Sequence, residues 1–186
     1  FWVVLRKYIY PKANCLIVQT EKVKKVYERM IKAKEMVVLP NPISTELSKL
    51  RRDYNTDRKN IILSVGTFNN DKRQERIISA FHELKLNDWK LLLIGEGPNE
   101  SKLKALIKEL NISDKVKTLP KIRNVHDYYN KASIFAFSSK AEGFPNVLLE
   151  AMHFGVPSLS TDCNYGPSEL ITNGENGFLA PVNDQE

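Results

Sequence analysis

The stretch from Ser133 to Thr161, "SIFAFSSKAEGFPNVLLEAMHFGVPSLST", contains a complete strand–helix–strand pattern. "SIFAFSS" and "VPSLST" are short apolar runs bounded by polar residues or proline, as buried strands are. Between them, "PNVLLEAMHFG" starts with Pro145, which suits a first helical turn, and ends with Gly155, a common helix stop. The pattern predicts a helix over about residues 145–154 that connects two parallel strands.

The same rhythm runs through the chain from residue 61 onward. The apolar runs "IILSVG", "WKLLLIG" and "KVKTLP" alternate with the helical patterns "DKRQERIISAFHEL", "NESKLKALIKEL" and "VHDYYNKA". A short helix, "PSELI", follows the last predicted strand. Continuous apolar strands separated by helices are typical of a parallel sheet covered on both faces. We therefore predict an α/β fold with a doubly wound parallel sheet.

The first 60 residues have a different organisation. "NCLIVQT", "EKVKKVYERMIKA" and "EMVVLP" predict a strand, a helix and a strand. Pro40 and Pro42 then bracket Asn41 and interrupt regular structure before a polar, charged run. We predict the tail of a first domain and the start of a linker at 1–45, the linker at 46–60, and the main domain at 61–186. Because the chain begins with Phe1 and ends in a loop pattern, we expect a C-terminally truncated fragment.

Composition and charge narrow the class of protein. The chain has 186 residues, 42% of them hydrophobic, and a net charge of +6, which is ordinary for a globular protein. Residues 1–60 hold 14 Lys and Arg against 6 Asp and Glu, whereas residues 61–186 hold 14 against 16. A basic flank suits anionic lipid or nucleic acid, but it also suits a plain solvated surface. Two distant cysteines and the absence of a membrane-length apolar run favour the cytoplasm.

Two glutamates flank the start of the helix in the opening stretch. Ligands of parallel sheets bind at the carboxyl ends of the strands, where the N–H groups of a helix N-terminus attract anions. Gly143 allows close approach to the backbone. Glu142 precedes the helix, and Glu150 shares a helix face with Asn146, so the carboxylates can flank one polyhydroxylated ligand. Taken alone, the spacing equally suits a loop charge and a solvent-facing helix residue.

The quoted stretch, together with three other segments, resembles a known family. These segments are "SVGTFNNDKRQERIISAF", "LLLIGEGP" and "GPSELITNGENGFLAPVND". They are similar, in the same order, to the donor-binding C-terminal domain of the retaining GT-B glycosyltransferases of family 4 (group 1). Residues 1–60 resemble the last strand–helix–strand of the acceptor-side partner domain and the interdomain linker. The resemblance implies a Rossmann-like domain that binds a nucleoside diphosphate sugar.

The resemblance also implies roles for the residues around the helix N-terminus. Glu142 would be catalytic and face the transferred sugar, and Glu150 would hold the ribose hydroxyls. The backbone around Gly143, Phe144 and 145–146 (Pro145, Asn146) would lie against the sugar and phosphate, although Pro145 offers no N–H group. These residues would therefore form one wall of the donor site.

The loop after the predicted strand "IILSVG" would supply the charge that grips the diphosphate. In the family this loop carries a glycine, then usually an arginine, then a lysine five positions later. Gly66 and Lys72 match the pattern, whereas Thr67 occupies the arginine position. A neutral threonine cannot replace a bidentate guanidinium, so we expect the neighbouring Arg73 to substitute. Lys72 would be catalytic together with Glu142, because it stabilises the leaving diphosphate.

The resemblance implies transfer of a sugar, with retention, from a UDP-linked donor to a glycan or lipid-linked acceptor. We expect no cofactor, no metal, no nucleic acid partner, and a cytoplasmic protein with peripheral contact to the anionic inner face of the membrane. The isolated chain should bind donor without transferring sugar, because 1–60 supplies only the tail of the partner domain. Two alternatives stay in view: a nucleotide-sugar epimerase or phosphorylase on the same architecture, or a non-catalytic binding or membrane-docking module.

Overall fold

A computed structural model describes residues 2–52 and 57–182 of the chain. Residues 53–56 of the predicted linker and 183–186 of the predicted final loop lie outside the described residues. The helices are α1 Trp2–Ile9, α2 Glu21–Met30, α3 Thr45–Ser48, α4 Gln74–Glu83, α5 Glu100–Glu109, α6 His126–Lys131, α7 Asn146–His153 and α8 Pro167–Leu170, with a 3-10 turn at Tyr10–Lys12. The strands are β1 Leu16–Val18, β2 Met36–Val38, β3 Lys59–Val65, β4 Lys90–Ile94, β5 Val116–Leu119, β6 Ala132–Phe137, β7 Ser158–Thr161 and β8 Gly177–Ala180.

The main sheet has six parallel strands in the order β5-β4-β3-β6-β7-β8. The chain first moves outward from β3 through β4 to β5, then returns to the other side of β3 with β6. The strand order therefore reverses between β3 and β6. In open α/β sheets, the ligand crevice lies at this reversal, outside the carboxyl ends of the strands. This confirms the doubly wound fold class and identifies the loops after β3 and β6 as the candidate ligand site.

Both faces of this sheet are covered, as the continuous apolar strands predict. Neighbouring residues of β3 point to opposite sides, and they belong to two separate apolar clusters. Leu63 packs with Phe135 and Leu148 on the face covered by α6 and α7. Ile62 packs with Ile78 and Leu103 on the face covered by α4 and α5. The sheet is thus the middle layer of a three-layer domain.

The first part of the chain forms a small parallel sheet of its own. Strands β1 and β2 pair with Ile17 opposite Val37, and α2 connects them. This confirms the predicted strand–helix–strand. The sequence patterns did not predict α1, the short α3 or the edge strand β8. Strand β3 starts at Lys59, two residues inside the segment predicted as linker. The predicted domain boundaries stay a prediction.

The ends of α7 differ slightly from the sequence prediction. Pro145 has φ −83° and ψ 78°, so it precedes the helix, and Asn146 is the first helical residue. The proline ring fixes φ but leaves ψ free, which is why a proline can stand just outside a helix. Gly155 follows the helix with φ 67°, the left-handed stop that the sequence indicates. Among the described residues, no helix is long and apolar enough to span a bilayer.

Candidate active site

The loops after β3 and β6 are tied together at the point where the strand order reverses. The backbone N–H of Lys140 donates to the carbonyl of Asp71 over 2.8 Å, and their side chains form an ion pair at 3.2 Å. The Ser138 hydroxyl lies 2.7 Å from the carbonyl oxygen of Lys72 and 2.9 Å from that of Arg73. The two loops therefore hold each other in register.

This arrangement brings together the two residues predicted as catalytic. The ammonium of Lys72 forms an ion pair and hydrogen bond with Oε1 of Glu142. The Lys72 side chain is 22% exposed and that of Glu142 only 9%, so solvent screens the pair weakly. The Lys72 nitrogen also lies 5.3 Å from the centre of the Phe137 ring, within the range of a cation–π contact. A fixed and largely desolvated charge pair results at the ligand edge of the sheet.

The segment that leads into α7 has a buried half and an exposed half. Phe144 and Pro145 are buried, whereas Gly143 and Asn146 are exposed. A Cβ atom on Gly166 would stand 2.3 Å from the Pro145 ring, so this ring packs directly on the backbone of the next loop. The buried pair anchors the segment, and its exposed neighbours leave their backbone accessible. All four predicted donor-binding positions are thus next to Glu142.

The second glutamate occupies a different environment from the first. The hydroxyl of Tyr129 donates to Oε2 of Glu150 over 3.0 Å. Burial raises the pKa of Glu150, and the hydrogen bond from Tyr129 partly opposes that shift. Glu150 and Asn146 line one cleft of about 340 Å³, whose opposite wall is formed by 41–44 and Leu47. This confirms that the two residues share a face of α7.

The loop after β3 places the remaining predicted residues around Lys72. A Cβ atom on Gly66 would have no neighbour closer than 3.9 Å, which leaves its surroundings open. The Thr67 carbonyl accepts from the side-chain nitrogen of Gln74 over 3.0 Å. Arg73 precedes α4 with φ 50°, and its guanidinium donates to the Val182 carbonyl over 3.2 Å. The guanidinium thus contacts the chain itself, and the role of Arg73 as a substitute for the family arginine stays a prediction.

Gln74 is a site residue that sequence reasoning missed. It is the first residue of α4 and is buried, with its Nε2 committed to Thr67 and its Oε1 without a partner among the described groups. The amide supports the turn that carries Thr67 and Lys72. The available signal was a polar residue at the start of an otherwise apolar helix face, which is weak because such residues are common there.

A chain of three amides links the first part of the chain to α7, and sequence reasoning missed it. Nε2 of Gln19, after β1, donates to Oδ1 of Asn41 over 2.8 Å. Nδ2 of Asn41 donates in turn to Oδ1 of Asn146 over 2.9 Å. Oε1 of Gln19 lies 3.8 Å from the position that a Cβ on Gly143 would take. The prolines on both sides of Asn41 were the signal, because they fix the backbone that presents it.

Glu169 connects α8 to the first part of the chain. It is the third residue of α8, which follows Gly166. Its carboxylate accepts from the backbone N–H groups of Glu21 and Lys22 over 2.8 and 3.0 Å. It therefore caps α2, a helix from the other part of the chain, at the end where a negative charge is favourable.

Cys163 lies close to the charge pair but does not join it chemically. Burial and the nearby Glu142 carboxylate raise the pKa of this thiol to about 11, so it is neutral at pH 7. Among the described residues, His, Cys, Asp and Glu side chains nowhere gather in groups of three that could hold a metal ion. Lysine, carboxylate and backbone groups are the chemistry that this site offers.

The fold and site define an α/β protein with a lysine–carboxylate pair at the switch-point crevice and a second carboxylate in a cleft beside α7. The sequence model of the family described as "Glycosyl transferases group 1" matches residues 48–186, and the chain belongs to this family. An N-acetylgalactosamine-N,N'-diacetylbacillosaminyl-diphospho-undecaprenol 4-alpha-N-acetylgalactosaminyltransferase from Campylobacter jejuni is 35% identical, over 95% of this chain and 49% of that protein.

Solved structures have the same fold. The lipopolysaccharide outer core galactosyltransferase WaaB superposes with a TM-score of 0.74 at 27% identity, over 93% of this chain and 50% of that one. The pneumococcal O-GlcNAc transferase GtfA, in complex with UDP and GlcNAc, superposes with a TM-score of 0.82 at 21% identity, over 95% of this chain and 36% of that one. This chain spans about half the length of the curated relatives it matches.

Proposed function

We propose that this chain is the donor-binding part of a retaining GT-B glycosyltransferase of family 4 that uses a UDP-linked sugar. The observation that carries the proposal is the Lys72–Glu142 pair, fixed in front of the start of α7 at the reversal of the strand order. A diphosphate requires a positive charge, and a sugar requires hydrogen-bond acceptors for its hydroxyls. The pair supplies one of each within direct contact.

The proposed reaction exchanges one bond at the anomeric carbon of the donor. The bond to the diphosphate oxygen breaks and its electron pair stays on the diphosphate. A bond to an acceptor hydroxyl oxygen forms on the same face, and the hydroxyl proton passes to the leaving diphosphate oxygen. Negative charge therefore grows on the leaving group. Lys72 and the positive end of the α7 dipole are held in place beforehand, so they stabilise that charge without reorganisation. In this proposal no cofactor or metal takes part.

In this proposal the remaining residues bind different parts of the donor. Glu142 contacts the transferred sugar, Glu150 accepts from the ribose hydroxyls, and the exposed backbone at Gly143 lies against sugar and phosphate. Arg73 adds charge near the diphosphate where the family arginine is replaced by Thr67. Support comes from the separate environments of the two carboxylates: one faces a lysine, and the other lines a cleft of about 340 Å³.

Two further observations support proposals for the class of acceptor and for the cellular location of the protein. The Campylobacter relative is named for an undecaprenol-linked acceptor, which favours a lipid-linked or surface glycan here. The excess of basic residues in 1–60 favours peripheral contact with the anionic inner face of the membrane from the cytoplasm. The chain spans about half the length of the relatives it matches, so we propose that the 186 residues alone bind donor but do not transfer sugar.

Calorimetry with the 186-residue chain tests the donor site. Wild type, Lys72→Ala and Glu142→Ala are titrated with UDP, with a panel of UDP-sugars, and with ADP and GDP. Lys140→Ala is the matched control, because Lys140 is also an ion-paired lysine of these loops but is more exposed. We expect Lys72→Ala to weaken UDP and UDP-sugar alike, and Glu142→Ala to weaken only UDP-sugar.

Two results would overturn the proposal. One is wild-type protein that binds no nucleoside diphosphate or its sugar conjugate. The other is an equal loss of affinity for UDP and UDP-sugar in both variants, since that pattern gives the two side chains no separate contacts with the donor. Sugar transfer by the isolated 186-residue chain would contradict only the proposal that this chain is inactive by itself, and would leave the proposed donor site in place.

A further inference from the structure

Tyr129 is a fully buried phenol whose hydroxyl is directed at a carboxylate of the proposed site. The residue is 0% exposed, and its ring stacks on Phe154 at a centroid distance of 5.5 Å. A second ring contact, to Phe135, has a centroid distance of 6.0 Å. The ring is therefore clamped, and its hydroxyl reaches Oε2 of Glu150 over 3.0 Å. A phenol held in this way has little freedom to point elsewhere.

The hydroxyl has one proton and two acceptors within reach. Oε2 of Glu150 is 3.0 Å away, whereas the Val147 carbonyl is 3.4 Å away. The shorter bond to an ionised acceptor is the stronger one, so the proton goes to Glu150. One carboxylate oxygen is thereby held from the protein side, which fixes the direction of Oε1 and of the remaining lone pair of Oε2.

We propose that Tyr129 is a positioning residue that orients Glu150 and thereby sets the preference of the site for ribose over 2′-deoxyribose. This inference rests on the proposed function, because it takes the nucleotide ribose as the ligand of Glu150. It assigns a role to a residue outside the two loops that carry Lys72 and Glu142.

The physical basis is the freedom of the carboxylate. Glutamate is a flexible side chain, and holding it in one rotamer costs conformational entropy on binding. The hydrogen bond from the clamped phenol orders Glu150 before the ligand binds. The hydrogen bond between Glu150 and a ribose hydroxyl therefore contributes more to the binding free energy. The other residues that line the cleft are Asn41, Pro42, Ile43, Ser44, Leu47, Asn146 and Leu149. None of them is charged, so the carboxylate has no competing ionic partner among the described cleft residues.

The fixed carboxylate also explains selectivity against the deoxy sugar. When a ligand lacks the hydroxyl, an oriented acceptor stays unpaired and cannot turn to another donor, which penalises the wrong ligand. A carboxylate released from Tyr129 can turn toward solvent and recover hydration. Loss of the phenol hydroxyl should therefore cost more affinity for UDP than for 2′-deoxy-UDP.

The test is calorimetry of the 186-residue chain with UDP and 2′-deoxy-UDP at pH 7.5. Tyr129→Phe removes one oxygen and keeps the ring contacts. Tyr128→Phe is the matched control, because it removes the same atom from the adjacent, partly exposed residue of α6. We expect wild type and Tyr128→Phe to prefer UDP by roughly tenfold or more, as for one charged hydrogen bond. In Tyr129→Phe we expect that ratio to fall by roughly threefold to tenfold.

The ratio separates positioning from general stability. A lowered melting temperature with an unchanged UDP to 2′-deoxy-UDP ratio in Tyr129→Phe would overturn the inference and leave the donor site intact. An equal loss of affinity for both ligands would also overturn it, since that marks a packing effect. Wild-type protein that binds neither nucleotide would refute the proposed function, and this inference with it.

Discussion

Replacing the charges of the Lys72–Glu142 pair, singly and together, measures how far this contact is part of the fold. Lys72→Met keeps the aliphatic stem against the Phe137 ring but removes the charge. Glu142→Gln keeps the shape of the carboxylate but neutralises it. The double variant lacks both charges. A double-mutant cycle of these three proteins isolates the interaction between the two side chains.

The burial of the pair sets the expected magnitude. Removing one partner of a fully buried ion pair costs about 3–5 kcal/mol, because the other charge stays buried and uncompensated. Lys72 is 22% exposed and Glu142 9%, so water relieves part of that penalty, and we expect Lys72→Met to cost about 2–3 kcal/mol. The losses of unfolding free energy in the two single variants, added together, should exceed the loss in the double variant by a coupling of about 1–2 kcal/mol. For a chain of this size the loss from Lys72→Met corresponds to a melting temperature lower by about 5–10 °C.

The chain contains its own reference pair for this experiment. Lys104 and Glu100 form an ion pair at 2.6 Å on the surface of α5, with side chains 58% and 40% exposed. A pair of this kind contributes about 0.3–0.5 kcal/mol. Urea unfolding of both cycles, at low salt and in 1 M NaCl, gives the two couplings. We expect salt to abolish the surface coupling and to leave most of the Lys72–Glu142 coupling.

A coupling for Lys72–Glu142 that is no larger than that of the surface pair, and equally sensitive to salt, would refute this reasoning. It would mean that the two side chains are hydrated in solution and that their contact does not organise the site. The binding measurements of the donor site would then have to be explained by two independent charges.

Three further outcomes are expected. Burial raises the pKa of Glu150 above its usual value of 4.5, and the ionised form is the acceptor, so affinity for UDP-sugar should fall on acidification at a higher pH than for an exposed glutamate. Glu150→Gln should remove this pH dependence in calorimetry. UDP-sugar is used as the ligand because the terminal phosphate of UDP itself titrates at about pH 6. Glu169→Ala should cost about 1 kcal/mol by uncapping α2, with Glu175→Ala unchanged, in urea unfolding. Gly95→Ala should cost about 3 kcal/mol, because its Cβ would lie 1.9 Å from a backbone oxygen, whereas Gly174→Ala, with open space but φ +82°, should cost about 1–2 kcal/mol.

The fold was predictable because its signals are local. A buried parallel strand reads as a continuous apolar run, and Gly155 is a stop that acts through its own backbone angle. The missed elements lack such a signal. Edge strand β8 is only four residues long and carries an exposed Phe178, so its sequence does not read as a buried strand. The position of Pro145 one residue outside α7 was unpredictable for a similar reason, since proline fixes φ but not ψ.

The partners within the site could not be read in the same way. Lys72 and Glu142 are 70 positions apart, and Tyr129 and Glu150 are 21 apart. No periodicity connects such residues, because the strand order, and not the spacing along the chain, brings their loops together. Family resemblance named three of these four, and it did so from motif positions without indicating which groups contact each other. Tyr129 is fully buried, and its hydroxyl adds a contact to Glu150 that hydrophobic patterning does not reveal.

The charge of the site explains why Thr67 matters. Lys72 and Glu142 together are neutral, so before a donor binds this pair offers no net charge to a diphosphate that carries two. The start of a helix contributes the equivalent of about half a positive charge, which is less than the diphosphate requires. Arg73 follows Lys72 in the chain, and its guanidinium donates to the Val182 carbonyl. Because hydrogen bonds to a charged acceptor are roughly twice as strong as those to a neutral one, exchange of that carbonyl for a phosphate oxygen is favourable. In the proposed function, in which Arg73 substitutes for the family arginine, Val182 would then lose one of its guanidinium contacts, and donor binding would be coupled to the packing of Val182 through Arg73.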